Sequence, residues 1–150
     1  MKPTEIRARV LRDHRSVRTQ IERVAALSRA ALAGTSRDTA ALRAAAHELI
    51  RVLGRHLLWE DEHLLPALEA ADGWGPARVQ RMQADHGEQR ELLRHVATVL
   101  EDPSRPPELL ARTTLDLARL LQDDMEDEEK VMLDPAVLRD DAVGIDVETG

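Results

Sequence analysis

Three features of the chain predict an all-α protein, an antiparallel up-down-up-down four-helix bundle built from two helical-hairpin repeats. Apolar residues recur at spacings of three and four along four long stretches, which is one face of a helix each time. Pro and Gly gather between those stretches. Phe and Tyr are absent and Trp occurs only 2 times, so the core is left to Leu, Val, Ile, Ala and Met, a helix former's palette. At 150 residues this is the length of one domain, enough to bury roughly 70% of its unfolded surface, so folding does not require a metal.

The first helix opens at Pro3, a residue suited to a first helical turn, and follows Ile6, Val10, His14, Val17, Ile21, Val24 and Ser28 until Gly34. Thr35 or Ser36 is placed to cap the second, whose stripe is Leu42, Ala46, Leu49, Leu53, His56, Glu60 and His63. Pro66 and the turn Gly73-Trp74-Gly75-Pro76 close it, with Trp74 expected to plug the end of the bundle. The third runs through Val79, Met82, His86, Gln89, Leu93, Val96 and Leu100. A proline-rich break at 102–107 follows, then a fourth stripe of Leu110, Thr114, Leu117, Leu121, Met125 and Glu129 ending at Pro135. Residues 1–135 are thus expected to form the bundle, and 136–150 an acidic tail or arm carrying Val143, Ile145 and Val147 in alternation.

Histidines and glutamates interrupt these apolar stripes where a core residue belongs. His14, His56, Glu60, His86 and Glu129 read as ligands of a metal site inside the bundle, with His63 in reserve on the same stripe. Counting outward from the turns puts them at one depth: His14 lies 20 residues before Gly34, and His56 lies 20 after Ser36. His at one position and Glu four later share a helix face, so both can address one cation. Imidazole with carboxylate suits iron, manganese or zinc better than calcium or magnesium. Glu60 is the most telling, because a carboxylate on a core stripe needs a partner.

Composition narrows the alternatives. A net charge of -7 with arginines scattered singly argues against a nucleic-acid surface, and the lack of cysteine excludes thiolate sites, thiol nucleophiles and disulfides. No stretch is apolar enough for a bilayer or a secretory leader, which leads to an expectation of a cytoplasmic protein without a membrane partner.

The second and fourth stripes repeat. The stretch from His56 to Pro66 aligns with that from Met125 to Pro135 at an offset of 69, pairing Glu60 with Glu129, and Asp13-His14 aligns with Asp85-His86. Opposite His56 the second copy therefore offers Met125. On His14 in LRDHRSVR, HLLWEDEHLLP from His56, His86 in QADHGEQREL and MEDEEKVMLDP from Met125, the chain resembles the hemerythrin-like, or HHE cation-binding, domains over roughly residues 5 to 136. The resemblance implies a four-helix bundle with a non-haem di-iron centre that binds or senses dioxygen, nitric oxide or peroxide, or handles iron. Carried across, His14 and His56 would hold one iron and His86 the other, with Glu60 and Glu129 bridging.

Met125 departs from that pattern, because a thioether is a soft, weak ligand for iron. Three states follow as expectations: one metal, two held asymmetrically with Asp124, Glu128 or water filling in, or none. The first two belong to an iron protein for a small diatomic or peroxide ligand, with manganese or zinc as substitutes. The third belongs to a metal-poor bundle that binds a protein partner or a second copy. A slow catalase-like enzyme is the remaining alternative.

Overall fold

The computed structural model describes residues 1–35 and 39–141, and within them four helical rods pack as a bundle. α1 is Pro3–Leu32, α2 Ala40–Trp59, α3 Leu65–Ala71, α4 Gly75–Glu101 and α5 Pro107–Val131. A π-helical segment, Glu60–Leu64, joins α2 to α3 without leaving the right-handed helical region, so these three make one rod. α1 packs on α2 and α5, and α4 packs on α5, α2 and α3, closing a ring of four neighbours. No helix among the described residues is long and apolar enough to cross a membrane.

Local chemistry sets the ends of the rods. Gly34 takes φ +71° after α1, and the amides of Gly34 and Thr35 turn back to the carbonyls of Ala31 and Ala30 at 3.2 and 3.0 Å. Thr35 thus closes α1 rather than capping α2, which follows Thr39; Ser36 lies outside the described residues. Before α4 the chain passes so close to α3 that a Cβ on Gly75 would stand 2.3 Å from the Glu69 carbonyl oxygen. Trp74 does not plug the bundle: it is 72% exposed, because its turn projects beyond the last apolar layer.

The start of the expected tail is tied down. Leu138 is 1% exposed within the lower core, and Asp140 accepts hydrogen bonds from the Thr4 amide and hydroxyl at 3.0 and 2.7 Å. Val143, Ile145 and Val147 lie outside the described residues.

Two apolar cores fill the bundle. The larger includes Val17, Ile21, Leu49, Leu53, Leu57, Leu117, Leu121 and Met125; the smaller includes Ile6, Val10, Leu64, Leu68, Met82, Met132 and Leu133. Between them runs a polar layer to which every rod contributes. It falls between Val10 and Val17 on α1, Leu53 and Leu64 on the second rod, Met82 and Val96 on α4, and Leu121 and Met132 on α5.

Burial reveals the register of the repeat. Leu42, Ala46, Leu49, Leu53, Leu57, Leu64 and Leu65 are buried, as are Leu110, Thr114, Leu117, Leu121, Met125, Met132 and Leu133, which follow them at an offset of 68. The same offset relates the hydrogen bonds that end each stretch, from the Leu65 amide to the Glu60 carbonyl and from the Leu133 amide to the Glu128 carbonyl.

Candidate metal centre

The polar layer is built from the inward positions of four rods. His14 is 0% exposed, Glu60 1%, His86 2% and His56 6%. From α5 the inward carboxylate is Glu128, whose side chain is 10% exposed. His14, His56, Glu60 and Glu128 each present a ligand atom to one point, and these atoms all lie within 4.8 Å of one another. His14 Nε2 stands 3.5 Å from Glu128 Oε1, and His56 Nε2 lies against Glu60 Oε1. His86 approaches from the other side, with Nε2 3.8 Å from Glu60 Oε2.

Whether these residues suit a cation is answered by what they lack. His14 Nε2, His56 Nε2, His86 Nε2, Glu60 Oε2 and Glu128 Oε1 are buried without a hydrogen-bond partner. Each buried polar group left so costs about 1–3 kcal/mol, and five around one point is a concentration that native cores avoid. Imidazole nitrogens and carboxylate oxygens are donors for a transition-metal ion, so the set fits one.

Behind each imidazole stands a carboxylate. His14 Nδ1 lies 3.3 Å from Glu129 Oε1, His86 Nδ1 2.8 Å from Asp61 Oδ1, and His56 Nδ1 3.7 Å from Asp13 Oδ2. Each carboxylate is itself held by an arginine: Glu129 by Arg18, Asp61 by Arg90 and Asp13 by Arg9.

Electrostatics within the layer follow from burial and neighbours. Burial and the His56 charge push His14 down. Burial also opposes charge on His56, but Asp13 and Glu60 outweigh it and lift His56 to about 9. Burial and the Glu60 charge push Glu128 well above the usual carboxylate range, whereas His56 and His86 hold Glu60 well below it in spite of burial. A bound cation would compete with protons on these groups.

The residues singled out in the sequence end in different places. His14, His56 and Glu60 converge, and His86 borders them. Glu129, 24% exposed at its side chain, lies at the edge with Arg18 while Glu128 reaches the centre. His63 does not reach the layer. The π segment adds a residue to one turn, which brings Leu64 inward and leaves His63 half-buried outside, stacked on Trp59 at 4.5 Å with its Nδ1 3.0 Å from the Trp59 carbonyl. Met125 is 4% exposed in the larger core, at the position that matches Leu57. Asp124 matches His56; it accepts a hydrogen bond from Gln89 at 2.8 Å, and burial raises its carboxyl.

Asp13, Arg18, Asp61 and Arg90 were not anticipated. The signal was present: arginine follows both His14 and His86 by four residues, and an acidic residue follows both Glu60 and Glu128 directly.

Comparison with known proteins agrees with this arrangement. No curated protein and no solved structure matches the chain. Residues 5–136 match the hemerythrin HHE cation binding domain, a span that takes in all four rods and every residue of the polar layer. The chain belongs to the hemerythrin HHE cation-binding domain family.

Proposed function

We propose that this HHE domain binds non-haem iron through His14, His56, Glu60 and Glu128 and uses it to bind or sense dioxygen, nitric oxide or peroxide. One observation carries the reading: four ligand atoms within 4.8 Å, all from residues with a buried inward atom that no protein group satisfies. Manganese and zinc suit the same donors and are the substitutes to test. Iron would supply redox chemistry toward a small ligand at an open coordination position.

The residues of this chain do the rest. Val10, Val17, Leu57, Leu64, Met125 and Met132 wall the layer above and below and exclude water. A cavity of about 10 Å³ beside His86 and Glu128, lined also by Met82, Gln89, Asp124 and Met132, has the scale of a single water, which restricts any exogenous ligand there to a few atoms.

The two sides of the layer are unequal in this proposal. The side of His14 and His56 holds a complete set, while the side of His86 has Asp124 where the repeat places His56 opposite. A second ion on that side would be held by one imidazole, His86, with the carboxyls of Asp124 and Glu128, and would bind more weakly.

Metal analysis of protein expressed with iron tests this directly. We expect about one tightly held iron per chain, with a second retained only at excess metal. A chain that holds no metal, and whose thermal stability does not change on adding Fe²⁺, refutes the reading and favours a metal-free interaction module. Peroxide consumption in the same preparation, absent in Glu60→Ala, would assign catalase-like turnover instead of sensing.

A further inference from the structure

The two copies of the repeat share a device that the ligand set does not include. On α1, His14 and Arg18 are one turn apart, and both contact Glu129 of α5: His14 Nδ1 at 3.3 Å and Arg18 Nη1 at 2.8 Å, with Arg18 Nη2 on the other oxygen. On α4, His86 and Arg90 are one turn apart, and both contact Asp61 of the π segment: His86 Nδ1 at 2.8 Å and Arg90 Nη2 on the second oxygen. His14 and Arg18 map onto His86 and Arg90 at an offset of 72, and Asp61 maps onto Glu129 at the offset of 68 seen in burial. Each clamp joins a helix of one copy to a helix of the other.

The carboxylates beside them divide the work. In Glu60-Asp61 the first residue faces the layer and the second faces the imidazole of α4; in Glu128-Glu129 the first faces the layer and the second the imidazole of α1. An imidazole whose Nδ1–H donates to a fixed carboxylate keeps Nε2 free of a proton and its ring plane set. The inward Nε2 atoms of both His14 and His86 are the ones without partners.

Resting on the metal-binding reading above, we propose that Arg18 and Arg90 are positioning residues: each holds the carboxylate, Glu129 or Asp61, that orients the histidine four residues before it toward the metal layer. A purely stabilising role does not account for them. Arg18 and Arg90 are 36% and 39% exposed, and ion pairs this open to solvent are screened and add little to stability. The same pairing of histidine and arginine on one carboxylate recurs in both copies.

Titration of metal-free protein with Zn²⁺ against a chromophoric chelator tests the assignment. Arg18→Ala and Arg90→Ala should each weaken Zn²⁺ binding by roughly 10–100-fold while the metal-free melting temperature barely moves. Because Arg18 acts through Glu129, adding Arg18→Ala to Glu129→Gln should cost no further affinity. Unchanged affinity in both arginine variants, or losses that simply multiply in the double variant, overturns the proposal. A wild-type chain that takes up no Zn²⁺ refutes the metal reading instead, and the clamp is then judged by NMR of the metal-free protein. Exchange-protected Nδ1 protons on His14 and His86, lost in Arg18→Ala and Arg90→Ala respectively, support it; their absence from the wild type overturns it.

Discussion

The second rod brings His56 and Glu60 to the polar layer where α5 brings Asp124 and Glu128, although the two stretches otherwise bury matching positions from Leu42 and Leu110 to Leu65 and Leu133. The carboxylate nearest the centre is common to both, and so is the acidic residue after it that engages a histidine and an arginine. What differs is one turn earlier, where one helix has an imidazole facing the layer and the other a carboxyl facing Gln89. The contrast teaches that core spacing and the carboxylate–arginine contacts can agree between the two halves while the inward side chain one turn before the central carboxylate does not. A clamp depends on helix positions that the core already fixes, whereas a single ligand can change without disturbing packing.

The largest effect should come from breaking the complete side. His56→Ala should reduce metal affinity by more than the roughly 10–100-fold expected for an outer partner, whereas Asp124→Ala should leave the first metal in place. Isothermal titration of both variants decides this, and equal losses would sink the asymmetry.

Core substitutions test the register. Leu57→Ala and Met125→Ala should each destabilise by about 2–5 kcal/mol in chemical denaturation, as matched core residues do. Asp124→His should raise the metal count toward that of a symmetric pair, while Met125→His should gain no metal and should destabilise, because an imidazole there would be buried among Leu117 and Leu121 without a partner. A second metal in Met125→His would restore the offset of 69.

A moderate effect is expected from pH. His56 is lifted from an ordinary 6.5 to about 9, so its contribution to folding is whole below pH 6.5 and is lost as pH rises through 9. Glu128, raised by burial and by Glu60, acts in the same direction because the folded chain keeps a proton that the unfolded chain releases. Melting temperature of the metal-free protein should therefore fall between pH 6.5 and 9, and saturating Zn²⁺ should abolish the fall. A metal-free protein that grows more stable over that range would contradict the described charges.

The smallest effect belongs to the bundle end. Trp74→Ala should change stability by no more than about 0.5 kcal/mol in thermal melts, while Gly75→Ala at the next residue should cost clearly more because its Cβ meets the Glu69 carbonyl.

Much of this was legible in residue order. Periodicity along Ile6 to Ser28 and Leu42 to Glu60 named the buried faces, and helical rise put His14, His56 and His86 at one depth. The choice between Glu128 and Glu129 was not legible, since adjacent residues differ by about a quarter turn and a stripe alternating by three and four permits either. His63 was misplaced on its stripe because a π turn changes the period locally, and no residue pattern announces one as plainly as proline announces a break.

The linear chain by itself determined the helical class, the number of rods, the polar interruption of each apolar face and the kinds of side chain that make it, because these depend on composition and on intervals within one helix. Only the tertiary structure decided which carboxylate turns inward, which of Asp124 and Met125 matches His56, and which arginines hold the acids behind the histidines. Those outcomes depend on the rotation of one helix against another, a quantity set by the packing of both cores together and written in no single segment.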